Sequence, residues 1–355
     1  MSPGGAFRLF ACCVAVRGAR RSTICDVQRQ RYRLIPNGLY DILTVHRDLT
    51  LDGIRAAFGA DEAETIEQYF AFLAANDFGF WTDTPESFPE MDMSWEAPER
   101  VTNAVIDVAA HSPHDFASLF RQLDALGCKM LQLRYFDPVA PDRLDAVLEL
   151  ARRGRLRTIE LLIPWSPAWT DDHLRGVCIA HGRVASVTVH GAPANRKVET
   201  PSDVRIAMRA QTVDSADHCG EVHPAYFTTN VRLFTEAQLH NTCLNRKLSV
   251  DQDGEIRNCP ALPRSFGNAA DTPLHRALEA EGFQDLWRVN KDQVEVCRDC
   301  EFRYVCTDCR AFVADSAHPH PKPAKCAYDP YTAEWRRAEP SPIVARPALP
   351  VLAGV

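Results

Sequence analysis

The chain has 355 residues, of which 46% are hydrophobic and 25% are charged, and its formal net charge at pH 7 is −7. This length is typical of two or three domains, and a chain of this size buries enough apolar surface to fold without disulfide bonds. The acidic balance excludes an extended basic face, so we expect no nucleic-acid partner. No run of 18 apolar residues occurs. We therefore expect no membrane span or membrane partner, and a cytoplasmic protein whose cysteines stay reduced.

Residues 1–90 are predicted to form one small unit. Strand-like runs at 7–16, 22–27 and 31–35 are followed by three helical stretches and by a returning strand near residue 80. This order of elements predicts a winged-helix-like domain, and the prolines that follow it mark a linker.

Residues 91–240 alternate strand-like and helix-like segments. This βαβα order is typical of the α/β class and predicts a parallel sheet. About five strands fit, which favours a partial (β/α) barrel or an open sheet over a closed eightfold barrel. The predicted strands are 103–108, 130–135, 158–163, 186–189 and 204–210, and the predicted helices are 115–126, 142–151 and 171–180.

The chain holds thirteen cysteines, and seven of them fall in residues 241–330, where little periodicity is found. Cys243 is followed by ten residues, then Gly254, then four residues and Cys259. Gly254 suits a tight hairpin turn that would bring these two cysteines together. Thiolate-rich sites select zinc, iron–sulfur clusters or copper(I), and the spacing alone leaves zinc and iron–sulfur equally open. The remaining five are Cys297, Cys300, Cys306, Cys309 and Cys326.

The order C-x10-G-x4-C, then C-x2-C-x5-C-x2-C, then a last cysteine resembles the seven-cysteine SPASM domain. SPASM domains are C-terminal extensions of radical S-adenosylmethionine peptide maturases and carry auxiliary [4Fe–4S] clusters. The usual pattern has three residues before its sixth cysteine, whereas this chain has two, between Cys306 and Cys309.

The resemblance implies an SPASM domain at 241–330 and a set of ligands for two [4Fe–4S] clusters. Cys219 is our candidate for the eighth thiolate, and His218 and His240 are weaker alternatives. A fully ligated first cluster would indicate electron transfer or a structural role, and an open iron would indicate substrate binding. The first set is Cys219, Cys243, Cys259 and Cys309, and the second set is Cys297, Cys300, Cys306 and Cys326.

Radical enzymes of this superfamily carry C-x3-C-x2-C after their first barrel strand. This sequence contains no C-x3-C-x2-C, and no cysteine lies between Cys25 and Cys128. The Gly-Gly-Glu segment that usually contacts S-adenosylmethionine is also missing from the sequence. We therefore expect neither this cofactor nor its reductive cleavage.

Six segments resemble the SPASM peptide maturase of grasp-with-spasm systems, whose members lack the radical motif. The resemblance implies an iron–sulfur protein that acts with an ATP-grasp ligase in maturing a ribosomally synthesised precursor peptide. The segments are Ile24-Cys25-Asp26, Ile35-Pro36-Asn37, His218-Cys219-Gly220, Cys243-Leu244-Asn245-Arg246-Lys247, Asn258-Cys259-Pro260 and Cys300-Glu301-Phe302-Arg303-Tyr304.

Three functions stay open: a redox maturase, a non-catalytic adaptor for leader peptide and ligase with structural clusters, and a zinc-stabilised binding protein. Residues 1–90 are predicted to bind the leader peptide by strand addition, the alternative being a plain structural subdomain. Cys12 and Cys13, adjacent on a predicted strand, are interpreted as core residues that cannot both serve one site. Residues 331–355 are predicted to be a disordered tail.

Overall fold

The structure is a computed structural model that describes residues 4–200, 203–315 and 317–336. It is a mixed α/β fold whose largest sheet has eight strands, most of them parallel. The strands are β1 (Ala6–Leu9), β2 (Cys13–Val16), β3 (Ser22–Asp26), β4 (Arg31–Ile35), β5 (Gly79–Thr82), β6 (Asn103–Val108), β7 (Met130–Tyr135), β8 (Thr158–Pro164), β9 (Val184–His190), β10 (Arg196–Val198), β11 (Arg205–Met208), β12 (Lys247–Val250), β13 (Ile256–Arg257), β14 (Tyr328–Asp329) and β15 (Glu334–Trp335). The helices are α1 (Asn37–Thr44), α2 (Leu51–Phe58), α3 (Ala63–Ala75), α4 (Phe116–Ala125), α5 (Pro141–Ala151), α6 (Asp171–Ala180), α7 (Val231–Leu239) and α8 (Leu274–Glu279).

The N-terminal unit contains an antiparallel sheet in the order β2-β3-β4 and a separate antiparallel pair of β1 with β5. Its central strand β3 is buried along its whole length, because α1 to α3 pack against one side and the cysteine-rich region packs against the other. The predicted single strand over 7–16 is wrong. A turn closed by the Cys13 amide and the Phe10 carbonyl, 2.7 Å apart, divides it into β1 and β2.

The main sheet has the order β10-β11-β9-β8-β7-β6-β12-β13. Helices α4, α5 and α6 connect consecutive parallel strands from β6 to β9, as the alternating pattern predicts. The prediction of about five strands is too low. Strand β12 pairs parallel to β6, β13 pairs antiparallel to β12, and β10 pairs antiparallel to β11. Two of the added strands therefore come from the cysteine-rich region.

The two faces of the main sheet differ in polarity. On β7, Leu131 and Leu133 belong to the apolar core that α4 to α6 cover, while Gln132 and Arg134 alternate with them and line cavities on the opposite face. A parallel sheet covered by helices on both faces has near-continuous apolar strands. The alternation on β7 therefore marks the face away from the helices as the one available for a polar site.

The cysteine-rich region begins with the predicted hairpin. The Gly254 amide donates to the Asp251 carbonyl at 3.0 Å, and β12 and β13 flank this turn. Gly254 has φ +88°, and a Cβ at this position would lie 2.8 Å from the Asn268 Oδ1 atom, so the turn requires glycine. The hairpin prediction is confirmed.

The segment 331–355, predicted to be a disordered tail, contains β15, which pairs with β14 just before that segment. Residues 337–355 of that segment lie outside the described residues. Among the helices that the structure describes, none combines the length and the apolar character needed to cross a membrane.

The N-terminal sheet and the cysteine-rich region share a core. Arg21 Nε donates to the buried Glu301 Oε1 at 2.7 Å, and the Tyr328 hydroxyl donates to the same oxygen. The Ala19 amide donates to the Asp299 carbonyl at 2.7 Å. These contacts fix residues 299–301, which include the predicted ligand Cys300, against the N-terminal unit.

Candidate metal centre

The eight predicted ligands form two groups of interacting thiols. In the first set, burial raises the pKa of Cys259 to about 12, and the nearby Cys243 and Cys219 thiols add to the rise. The Cys309 thiol, also buried, feels the charge of Cys243. Cys219 lies 24 positions before Cys243 in the sequence, and Cys309 lies 50 positions after Cys259. The fold thus brings Cys259 within electrostatic range of Cys243 and Cys219, and Cys309 within range of Cys243. Their assignment as ligands of one cluster stays a prediction.

Gly220 lies directly against Cys309. Its φ is +83°, and a Cβ at this position would lie 2.7 Å from the Cys309 Sγ atom. No side chain fits that gap. The backbone that follows Cys219 is therefore packed against the Cys309 side chain.

Cys219 is held by a buried guanidinium. Arg134 Nη1 donates to Cys219 Sγ at 2.7 Å, while its Nε and Nη2 atoms donate to the two oxygens of Asp107 at 2.6 and 2.7 Å. Both side chains of this ion pair are less than 5% exposed. In contrast, both ring nitrogens of His218 contact other groups, the carboxylate of Asp214 at 3.0 Å and the amide of Gln211 at 3.3 Å. The contacts thus favour Cys219 over His218 as the fourth ligand.

A lysine also faces the first set. Lys247 Nζ lies 3.4 Å from Cys243 Sγ. Burial lowers the pKa of Lys247, but the charges of Cys243, Cys259 and Cys219 outweigh that effect and raise it overall. No carboxylate among the described residues lies within 4.0 Å of this ammonium group.

The second set is more deeply buried. Burial raises the pKa of Cys297 to about 12, and the thiols of Cys306 and Cys326 contribute to the rise. Burial also raises the pKa of Cys300 well above its usual range, with smaller contributions from Cys306 and Cys297. The two-residue spacing of Cys297 and Cys300 is a single turn, closed by a hydrogen bond of 3.0 Å from the Cys300 amide to the Cys297 carbonyl. All four thiols of this set are thus electrostatic neighbours.

A buried lysine faces the second set. Lys291 is 6% exposed, and its Nζ atom lies 3.2 Å from Cys306 Sγ and 3.1 Å from the Thr307 carbonyl oxygen. Within the described chain, no carboxylate lies within 4.0 Å of Nζ. A buried ammonium without an anion is costly. The groups whose negative charge would stabilise Lys291 are the thiols of Cys306 and Cys297 and, with a smaller effect, the Asp308 carboxylate.

Ionised thiols at either set would require a bound metal. Burial alone keeps these thiols protonated at neutral pH, whereas coordination to a metal deprotonates them outright. A tetrahedral zinc ion with Zn–S bonds of about 2.3 Å would place the sulfurs about 3.8 Å apart. Among the described residues, only Cys12, Cys13 and Asp26 offer three ligand atoms mutually within 4.8 Å. The sulfur atoms of each predicted set therefore lie farther apart than the ligands of one zinc ion do. This separation fits a cluster with one thiolate on each of several irons.

The Cys12–Cys13–Asp26 group corrects one expectation. Cys12 precedes β2, so the strand alternation expected to separate Cys12 from Cys13 does not apply, and both thiols lie beside the Asp26 carboxylate. That carboxylate already accepts hydrogen bonds from the Arg29 amide at 2.9 Å, from Arg29 Nη1 at 3.1 Å and from Arg31 Nε at 3.2 Å. Two guanidinium groups compete with any cation for this oxygen pair, and Cys13 remains a core residue.

Two cavities lie on the polar face of the main sheet, with volumes of about 780 and 460 Å³. Cys219 lines the larger cavity and Cys243 lines the smaller one, and both cavities share Gln132 and Glu160 as wall residues. No thiol of the second set lines either cavity. The first set is therefore the accessible one.

The sequence interpretation missed the charged residues that contact the thiols and the carboxylate that holds one of them. Arg134, Asp107 and Lys247 occupy alternating polar positions on parallel strands, and this alternation was the signal available for them. Lys291 lies in a stretch without periodicity, and no sequence signal marks it.

The comparisons with known proteins agree with the thiol pattern. The model of the SPASM iron–sulfur cluster-binding domain matches residues 242–301, which include the β12–β13 hairpin. Four of the eight predicted ligands fall inside the match, and the other four are Cys219 before it and Cys306, Cys309 and Cys326 after it.

Similarity to whole proteins is weak. No curated protein matches the sequence. The crystal structure of Streptococcus suis SuiB bound to the precursor peptide SuiA aligns with 86% of this chain and 96% of its own, at 8% sequence identity and a TM-score of 0.28. Residues 242–301 thus carry an SPASM iron–sulfur cluster-binding domain.

Proposed function

We propose that this chain is an iron–sulfur protein that acts in the maturation of a ribosomally synthesised peptide, together with an ATP-grasp ligase and without the usual radical S-adenosylmethionine cluster. The observation that carries the proposal is that a lysine ammonium group lies within hydrogen-bond distance of a thiol in each set. Lys247 faces the first set and Lys291 faces the second. Together with the SPASM match, this charge arrangement supports two anionic thiolate clusters.

The two sets would each hold one [4Fe–4S] cluster, with four thiolate ligands per cluster. Such clusters transfer single electrons when bound. The chain's own residues tune them, because hydrogen bonds and nearby charges at the cysteine sulfurs shift a cluster's reduction potential. Arg134 supplies such a hydrogen bond at Cys219, and Lys247 supplies one at Cys243.

The accessible first set favours chemistry over a purely structural role. Cys219 and Cys243 line cavities large enough to hold a ligand, since binding pockets typically measure about 300 to 1,000 Å³. An adaptor with structural clusters alone needs no cavity beside a ligand thiol. We therefore favour the redox maturase over the adaptor and over a zinc protein.

The N-terminal unit would bind the leader of the precursor peptide. Strand β4 pairs on one side only, with β3, and most of its residues are half-buried. An extended peptide gains backbone hydrogen bonds by pairing with such an edge. Bound leader should slow hydrogen exchange of amides in Arg31–Ile35, and slowed exchange elsewhere with none in this strand would contradict the assignment.

Co-expression tests the function. The precursor peptide is expressed with the ligase alone, with ligase and this protein, and with ligase and a Cys243→Ala variant, and its mass is compared. We expect a product that needs this protein and changes or disappears with Cys243→Ala. The matched control is Cys178→Ala, a buried cysteine in α6 outside both sets, which should leave the product unchanged. Identical products in all four expressions would exclude both a maturase and an essential adaptor.

A further inference from the structure

The larger cavity on the polar face of the main sheet contains an arginine whose side chain has no partner among the residues that the structure describes. Arg209 directly follows β11 and lines the cavity of about 780 Å³. The residue is 8% exposed, and its Nε atom is fully buried without a hydrogen-bond partner. Its guanidinium makes no ion pair within 4.0 Å among the described residues.

Arg209 differs in this respect from the other buried arginines that the structure describes. Arg134 pairs with Asp107 at 2.6 Å, and Arg310 pairs with Asp308 at 2.7 Å. Burying a guanidinium costs several kcal/mol unless an anion compensates for the lost water. Because this fold supplies an anion to both other buried arginines, the missing partner of Arg209 points to an anion brought by a ligand.

We propose that Arg209 binds a carboxylate group of a peptide that occupies this cavity. A guanidinium offers parallel N–H donors that match the two oxygens of a carboxylate. The charges that line this cavity balance, with four acidic and four basic residues: Glu160, Glu199, Asp203 and Glu221 with Arg134, Lys197, Arg205 and Arg209. The acidic side chains can accept hydrogen bonds from the amide groups of a peptide. The mixed lining thus suits a peptide that carries one carboxylate.

The position of this site relates it to the first thiol set. Cys219 and Gly220 line the same cavity as Arg209. A peptide anchored by its carboxylate would therefore lie on the cysteine-bearing side of the sheet, open to the first cluster. This placement rests on the proposed function, whereas carboxylate binding by Arg209 does not need iron. The carboxylate belongs either to an acidic side chain or to a peptide C-terminus.

Calorimetric titration of the full-length protein with three short peptides and with inorganic phosphate tests the proposal. The peptides are acetyl-Gly-Glu-Gly-amide, its glutamine counterpart, and acetyl-Gly-Gly-Gly with a free C-terminus. Hydrogen bonds to charged groups predict that the wild type binds a carboxylate peptide at least about tenfold more tightly than the glutamine peptide. In Arg209→Gln the ratio should fall to about one. Arg205→Gln, at an exposed arginine that lines the same cavity, should change affinity less than about threefold.

The different peptides and the phosphate titration separate the possible outcomes. Tighter binding of the glutamate peptide assigns the site to an acidic side chain, and tighter binding of the free C-terminus assigns it to a chain end. Equal binding of all peptides, no binding by any of them, or a preference for phosphate would overturn the proposal. Circular dichroism checks that Arg209→Gln folds. If Arg209→Gln does not fold, Arg209→Lys replaces it; this variant keeps the charge and should retain part of the preference for the carboxylate peptide. Iron content is measured on the same samples, so loss of the carboxylate preference and loss of the clusters are seen separately.

Discussion

The two thiol sets differ in what surrounds them. The first set borders cavities through Cys219 and Cys243, and its charge partners Arg134 and Lys247 lie on strands of the main sheet. The second set lies in an apolar core that contains Cys306, with Phe302, Val305 and Tyr328 around it and residues of the N-terminal sheet on its far side.

We interpret this difference as a division between a set that serves chemistry and a set that serves the stability of the fold. A ligand can reach the first set from a cavity, whereas no thiol of the second set lines either of these two cavities, and the second set lies where the N-terminal unit joins the rest of the chain. We infer that the first cluster meets the substrate and that the second stabilises the fold and relays electrons. Variants that act on one set alone can test this division.

Loss of the second cluster should have the largest effect on stability. Cys306→Ala is expected to lower the free energy of unfolding by about 4 kcal/mol or more, because metal binding at a buried site is itself folding free energy. Cys243→Ala should cost roughly half as much, because its surroundings are already open to solvent. Denaturant titration under anaerobic conditions measures both values. A larger loss in Cys243→Ala than in Cys306→Ala would reverse the proposed division.

The charge of Lys291 should matter most when the second set holds metal. In the loaded protein, Lys291→Met removes the cation that faces Cys306 and should cost about 3 kcal/mol. In the metal-free protein the same change should cost less, because the thiols are then protonated and only the Asp308 carboxylate stabilises the ammonium group. Lys247→Met is the matched variant at the more open first set and should cost less. Equal effects of Lys291→Met with and without metal would contradict a thiolate partner.

The link between the N-terminal unit and the second set should have a moderate effect. Arg21→Met leaves the fully buried Glu301 carboxylate with only the Tyr328 hydroxyl, and we expect a loss of about 2 kcal/mol. Arg29→Met is the control, because Arg31 continues to pair with Asp26, and its effect on stability should be smaller than that of Arg21→Met. Unfolding curves of the metal-loaded variants measure the difference in the free energy of unfolding. Equal losses of stability would contradict a specific role of Glu301 in joining the N-terminal unit to the second set.

Alkylation rates should show the smallest and most local differences. Burial raises the pKa of Cys25 and of Cys128 to about 12. At pH 8 roughly one in ten thousand of these thiols is ionised, so iodoacetamide should leave both unmodified in the folded protein. After chelation, Cys219 and Cys243 should react faster than Cys306, because the cavities expose them. Peptide mass mapping over time measures the order in which the cysteines are alkylated. Faster alkylation of Cys306 than of Cys219 and Cys243 would contradict the proposed difference in solvent access between the two sets.

Local patterns predict much of this fold. Helical and strand periodicity predicts β6, β7 and α6 with the bounds that the structure has, and Gly254 marks the hairpin between β12 and β13. These features depend on neighbours within a few residues, which the sequence displays directly. The seven-cysteine spacing similarly predicts the SPASM match, because the short spacings are themselves turns.

Long-range contacts could not be predicted in this way. The pairing of β12 with β6 joins Lys247 to Asn103 across 144 residues, and nothing local to either strand specifies it. The contact of Lys291 with Cys306 depends on how two irregular segments pack, and the break between β1 and β2 depends on one turn after Phe10. A single residue in a loop carries no periodicity from which its partner could be inferred.

Metal and sulfide analysis of anaerobically purified protein tests the central claim most directly. Two [4Fe–4S] clusters predict about eight irons and eight sulfides per chain in the wild type, and about four of each in Cys243→Ala and in Cys306→Ala. Cys178→Ala should keep the wild-type content, because this cysteine belongs to neither set. A colourless protein with about two zinc ions per chain, or iron content that neither variant lowers, would contradict the account.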